Sequence, residues 1–466
     1  MSKPIEVLRE LSARARAIRL PADFTIGAAT AAYQIEGAVA EDGRGESIWD
    51  RFTHTPGTIA DGQTGDIACD HYHRWREDIA LMKQLNLNAY RFSIAWPRII
   101  PEGRGTASEA GLAFYDRLVD ELLEAGLAPF VTLYHWDLPQ VLQDEGGGWL
   151  RRDVVDDYLA YVDVVTRRLG DRVRHWATFN ELWTFTWWGY AFGEDAPGLK
   201  LGAKGALAAG HHALLAHGKA VPLIRANVPG AKVGIVLDLN AATPDSGRPE
   251  DIAATRRFDG CQNRWYLDAL FRGAYPADML EVFGGLTPDI RGGDMETIAV
   301  PIDYLGVNVY RRSVIADGSD VPPVNFTRIK PPGSYTTMGW EVHPAALYDI
   351  LAYVQENYAP DDLYITENGA AFTDVVGSDG AIVDLDRARY MVAHLEQAAR
   401  AVQAGIPLKG YFAWTLMDNF EWACGFSQRF GLIHVDYETQ RRRVKLSGDI
   451  FAEIAASVKQ PLRQAV

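Results

Sequence analysis

Two stretches of the chain end a run of strand-forming residues in a carboxylate. Residues 364–370 read YITENGA. Tyr364, Ile365 and Thr366 favour a pleated, half-buried backbone, and Asn368-Gly369 is turn chemistry. Glu367 is therefore expected at the mouth of a strand, where a loop begins. Residues 178–181 read TFNE and deliver a second carboxylate, Glu181, in the same way. One acidic residue at a strand end is ordinarily just solvated. Two that converge on one pocket suit cleavage of a glycosidic bond, in which one acid protonates the leaving oxygen and its partner engages the anomeric carbon.

Convergence requires a scaffold that brings distant strand ends to one rim. Eight short apolar segments are candidate strands: 23–30, 88–96, 128–136, 173–181, 232–239, 302–310, 362–368 and 408–417. Between most of them lie amphipathic stretches such as HRWREDIALMKQL (73–85), FYDRLVDELLEAG (114–126) and VVDDYLAYVDVVTRRLG (154–170), with apolar residues at three- and four-residue steps. Strands alternating with helices imply a parallel sheet with right-handed crossovers. Eight of them predict an α/β fold, a (β/α)8 TIM barrel, with long βα loops accounting for the length. A doubly wound open sheet is the alternative, but its Gly-rich phosphate turn is replaced by GAATAAYQIEG after the first segment. The reading assigns 21–460 to one catalytic barrel and 1–20 to an N-terminal extension forming a short helix. It sets strands four and seven facing each other across the barrel mouth.

The other strand ends supply polar and aromatic groups. The first offers Tyr33, Gln34 and Glu36, the second Arg91 and Trp96, and the third His135 and Trp136. The sixth offers Asn308 and Tyr310, whose i, i+2 spacing directs both side chains to one face. The eighth offers Trp414, followed by Asp418, Asn419, Glu421 and Trp422. Amides and carboxylates among aromatic faces suit a sugar, with hydroxyls to bond and a C–H face to stack.

Gross composition narrows the partners. Lys and Arg number 46 against 61 Asp and Glu, a net charge of −15. That balance argues against nucleic acid and anionic membrane surfaces. Cys69, Cys261 and Cys424 form no CxxC pair or disulfide framework, which suits a reducing, cytoplasmic setting. The first twenty residues contain no apolar signal core, and no apolar run is long enough to span a bilayer. The sequence carries no signal of oligomeric state. His71 and His73 in DHYHRW point apart on a helix, so they are not read as a metal pair. His211, His212 and His217 are read as helix-packing groups.

At this level of detail the chain resembles the family 1 glycoside hydrolases, the β-glucosidases and their relatives. The likeness runs from DFTIGAATAAYQIEG through SIWDRFTHTPG, ACDHYHRW, YRFSIAWPRI, TLYHWDLPQ, TFNE and MGWEV to DNFEW and FGLIHVDYETQ. The resemblance implies a retaining mechanism with neither metal nor organic cofactor, and a small-molecule β-glycoside or oligosaccharide as substrate. By position, Glu367 resembles the nucleophile and Glu181 the acid/base. Arg91 and Tyr310 resemble the groups that keep the nucleophile ionised and oriented, and Asn180 the one that holds the sugar 2-hydroxyl. Gln34, His135, Trp414, Glu421 and Trp422 match the sugar-pocket wall with Asn308 in support, and Trp340 matches the leaving-group platform.

Three departures stand out. Leu182 replaces a common Pro, Thr415 replaces a frequent Ser, and RRRVKLSGDIF only loosely follows a basic, Pro-containing segment. Relatives that cleave 6-phosphosugars usually place Ser, with a nearby Lys and Tyr, where this chain has Glu421, a carboxylate that repels phosphate. The expected activity is hydrolysis of terminal β-D-glucosides, extending to β-galactosides or β-fucosides. The alternatives are an enzyme that transfers the glycosyl group to an alcohol and a catalytically silent sugar-binding protein, which would typically lose one carboxylate.

Overall fold

The computed structural model describes residues 3–458. Eight parallel strands close into a barrel: β1 (Thr25–Ala29), β2 (Ala89–Ser93), β3 (Ala128–Tyr134), β4 (His175–Asn180), β5 (Lys232–Asp238), β6 (Tyr304–Asn308), β7 (Leu363–Asn368) and β8 (Leu408–Trp414). Each lies within one of the eight segments chosen from the sequence. Each strand pairs with its sequence neighbours, and β1 closes on β8 with Ala29 opposite Trp414. Strands β4 and β7 are separated around the barrel by β5 and β6, so they are not diametrically opposed as expected.

Inside the barrel, the rings of Phe130, Tyr364 and Phe412 meet edge to face with centroids 5.0–5.5 Å apart. The three amphipathic stretches form helices His71–Gln84, Glu109–Glu124 and Val154–Leu169. Their buried faces carry Trp75 and Ile79, Phe114 and Leu118, and Tyr158 and Val162. A helix over Lys3–Ala17 packs against Leu446–Val458 and Leu385–Gln403. There Leu11 and Ala15 are buried, and Arg14 holds Glu396 through two hydrogen bonds. No described helix is long and apolar enough to cross a membrane.

Two small sheets lie outside the barrel. Ala241–Pro244, Arg312–Asp317 and Phe326–Ile329 form a three-stranded sheet, and Ile433–Asp436 pairs with Arg441–Val444. Stretches 243–251 and 317–326 read as loops in the sequence, yet Thr243, Pro244, Asp317 and Phe326 belong to the first of these sheets, and 249–251 open the helix Pro249–Asp259. Strands of four to six residues with mixed exposure carry little alternation to read.

Candidate active site

The turn after β7 is locked before any substrate arrives. Asn368 donates to the Val309 carbonyl at 2.5 Å and to the Tyr390 hydroxyl at 3.0 Å, and it accepts from the Tyr411 hydroxyl at 2.6 Å. Gly369 is required there, because a Cβ would fall 1.7 Å from the Trp414 carbonyl oxygen. With the turn fixed, Glu367 is 3 % exposed and gripped from two sides. Arg91 donates to one of its oxygens at 2.6 Å, and the Tyr310 hydroxyl donates to the other at 2.5 Å. Burial nevertheless pushes the Glu367 carboxyl above the ordinary carboxylate range, against the opposing pull of Arg91, Tyr310 and Asn308. Arg91 does favour the ionised form, as the sequence predicts, but burial is the larger effect.

Glu181 lies one residue beyond β4, in the left-handed region at φ +50°, a conformation that non-glycine residues adopt mainly where the surroundings enforce it. Asn308 donates to its carboxylate at 2.7 Å. Burial pushes the Glu181 carboxyl well above its usual range, and the charges of Glu367 and Asp238 push in the same direction. The two carboxyls therefore differ in what opposes burial. Glu367 has a guanidinium, whereas among the described residues Glu181 is paired with neutral donors and feels two acidic neighbours. Environments that differ in this way push the pKa values of two carboxyls apart.

A hydrogen-bonded frame joins the pair. The Asn180 side-chain oxygen accepts from Arg91 at 2.6 Å and from Asn308 at 3.1 Å, and Thr366 orients Asn308 by donating to its side-chain oxygen at 2.7 Å. The Asn180 amide donates to His135 Nε2 at 3.0 Å. Burial and Arg91 hold the His135 imidazole well below its ordinary pKa, so it is neutral. With Nε2 accepting, the proton resides on Nδ1, which is buried without a protein partner. Gln34 Oε1 and Glu421 Oε2 are also buried and unpartnered, and a bound polyol would satisfy all three.

These groups surround a cavity of about 470 Å³. Nine of the residues matched by resemblance to the catalytic pair and sugar site line it: His135, Glu181, Asn308, Tyr310, Trp340, Glu367, Trp414, Glu421 and Trp422. Arg91, Asn180 and Gln34 stand directly behind, bonded to lining residues or, for Gln34, to Asn419 and the Phe420 carbonyl. The rings of Trp414 and Trp422 each lie 5.9 Å from His135, near parallel to it. Trp136 also lines the cavity and packs 4.4 Å from Trp422. Other nominated strand-end residues serve packing. Glu36 pairs with Arg98 at 3.0 Å, Trp96 stacks on Tyr161, and Asp418 is held by Lys445 and Arg429. His211 bonds Tyr275 and Asp294, and His217 bonds Thr178.

Sequence reasoning missed several lining residues. Asp238 closes β5, and burial holds its carboxyl at about 7; an acidic residue at a strand end was the signal, unused at that strand. Trp188 comes from a helical segment after β4 and Glu194 and Asp195 from the loop that follows it, whereas Arg311 follows β6 and Arg328 lies in the Phe326–Ile329 strand of the outer sheet. Loops carry no register from which their reach could be read.

Known proteins resemble this chain over nearly its whole length. The Glycosyl hydrolase family 1 profile matches residues 16–460. The chain belongs to glycosyl hydrolase family 1. As a glycoside hydrolase of this family, it is 46% identical to Beta-glucosidase A of Acetivibrio thermocellus, covering 94% of this chain and 98% of that one. It is 44% identical to the Bifunctional beta-D-glucosidase/beta-D-fucosidase of Bifidobacterium breve, covering 94% and 98%. The solved family 1 β-glucosidase of Thermotoga maritima superposes with a TM-score of 0.92 at 45% identity, over 95% of this chain and 98% of that one. The eight-stranded barrel of this family 1 hydrolase is thus the barrel of its solved relatives.

Proposed function

We propose that the chain is a retaining β-glucosidase that releases terminal non-reducing β-D-glucosyl residues, with Glu367 as nucleophile and Glu181 as acid/base. The carrying observation is the asymmetric support of the two carboxyls. Arg91 and Tyr310 hold the oxygens of Glu367, while among the described residues Glu181 has no cationic partner in an ion pair and feels the charge of Asp238. Relatives named as β-glucosidases, one of them also as a β-fucosidase, support the sugar class. The presence of both carboxylates argues against a silent binding protein.

In the first step a Glu367 oxygen bonds to the anomeric carbon as the bond to the aglycone oxygen breaks, and Glu181 passes its proton to that oxygen. In the second, Glu181 takes a proton from water, the water oxygen bonds to the anomeric carbon, and Glu367 leaves as carboxylate. Two inversions retain the β configuration. The unpartnered atoms of Gln34, His135 and Glu421 are placed in this reading against the sugar hydroxyls, with Trp340 under the aglycone. Glu421 disfavours a 6-phosphate by repulsion. A cytoplasmic setting belongs to the same proposal, supported by three cysteines that are all free thiols.

A 2-deoxy-2-fluoro-β-glucoside with an activated leaving group tests the assignment. It should inactivate the enzyme and leave its adduct on the peptide carrying Glu367. Activity on aryl β-glucoside should exceed activity on the 6-phospho-β-glucoside. No adduct, or one on another carboxylate, refutes the assignment.

A further inference from the structure

Beside Trp340 the cavity is lined by two guanidinium groups, those of Arg311 and Arg328. Among the described residues neither has a side-chain hydrogen bond or an ion pair. Arg328 Nε is buried with no partner. The contacts of both are aromatic. Arg311 lies 5.3 Å from the Trp340 ring centroid, and Arg328 lies 5.2 Å from Phe258 and 5.6 Å from Phe326. Arg312, next in sequence, shows the usual solution, gripping both oxygens of Glu341 at 2.7 and 2.9 Å.

Buried charge is ordinarily paired, because an aromatic face attracts a cation without neutralising it. Here two cations share one cavity wall. Burial and Arg328 push the Arg311 guanidinium down to about 9, which leaves it charged at neutral pH. Asp238 is the acidic group that acts on both arginines, but its carboxylate is engaged by Gln262 at 2.6 Å instead. Glu194 and Asp195 also line the cavity and ion-pair with neither arginine. Planar guanidinium groups with free N–H donors match the geometry of a carboxylate.

We propose that Arg311 and Arg328 form an anion-binding element of the leaving-group site, so that the enzyme favours β-glucosides whose aromatic aglycone carries a carboxylate. The aglycone ring lies on Trp340 and its carboxylate meets the two guanidinium groups. The inference rests on the reading that Glu181 protonates a leaving group held beside Trp340.

The test uses 4-carboxyphenyl β-D-glucoside and its neutral carboxamide at pH 6.5, with the wild type, Arg311→Met and Arg328→Met. Dividing kcat/KM for the carboxylate by kcat/KM for the amide, and then comparing enzymes, cancels the difference in leaving-group reactivity. The quotient should fall about tenfold or more in each variant, as expected for a lost charged hydrogen bond. A quotient unchanged in both variants, with the amide still cleaved, overturns the anion site and leaves the hydrolase reading intact. Failure of the wild type to cleave either substrate overturns the hydrolase reading instead. Should a variant fail to fold, inhibition of the wild type decides. 4-Hydroxybenzoate should compete with a neutral substrate more strongly than 4-hydroxybenzamide does, and equal or weaker competition overturns the site.

Discussion

Glu367→Gln removes one negative charge from the pocket with almost no change of shape, and the response of Glu181 tests the proposed division of roles. A retaining pair stands about 5 Å apart. At an effective dielectric of about 20, two unit charges at that distance repel by roughly 3 kcal/mol, which is about two pH units. The direction follows from the structure: the Glu367 charge is one of the forces raising Glu181, so its removal should lower the Glu181 pKa. Glu181 should still titrate above an ordinary glutamate, because burial and Asp238 remain. Carbon-13 NMR of glutamate labelled at the carboxyl carbon follows the titration, with the Glu181→Gln/Glu367→Gln double variant assigning the resonance. The 2-fluoroglycosyl enzyme, in which Glu367 is esterified, should show a fall of the same sign. A Glu181 pKa that stays within about half a unit of wild type in both would refute the coupling on which the two-step use of one carboxyl pair depends.

Tyr310→Phe deletes the 2.5 Å donor to Glu367. A hydrogen bond to a charged group is worth about 1.5–3 kcal/mol, so kcat/KM should fall by roughly 10- to 100-fold. The acidic limb of its pH profile should move upward, because a donor that favours ionised Glu367 is gone; an unmoved limb would argue against that support. Asp137 is buried with both carboxylate oxygens unpartnered, and burial pushes its carboxyl up to about 8. Stability that depends on its neutral form is full at low pH and is lost as pH rises toward and through 8. Asp137→Asn cannot ionise, so its Tm relative to wild type should become more favourable between pH 5 and pH 8, and a pH-independent difference would refute the assignment.

Most of the barrel was legible because each strand is a short apolar run, and most are followed by a helix with clear periodicity. YITENGA shows how far such reading extends. Its residue types predict a strand, a carboxylate at the mouth and a turn, and the structure has β7 ending at Glu367-Asn368 with Gly369 under the Trp414 carbonyl. Position around the circle was less legible. Strands β4 and β7 are three steps apart, and what brings Glu181 toward Glu367 is the left-handed backbone at Glu181 together with the Asn308 bridge. Neither is encoded in periodicity. Asp238 was in plain view at the end of a predicted strand, whereas Arg311, Arg328 and Asp195 reach the cavity through excursions whose course depends on the assembled rim.

The same contrast explains why the buried acids of this pocket are tolerable. Several carboxyls share one cavity, and burial raises those of Glu181, Asp238, Glu367 and Glu421. A group that can take up a proton escapes the full cost of burying its charge, and Glu421 is held at about 8 and Asp238 at about 7. A nucleophile cannot use that escape, because it must be ionised to react. Among these four acids, Glu367 is the one in an ion pair, with Arg91. On the proposed assignment, the arginine is thus placed where neutralisation by a proton would silence the chemistry. Its other amino group holds Asn180, so a single guanidinium both favours the ionised form of the proposed nucleophile and positions the amide beside Glu181.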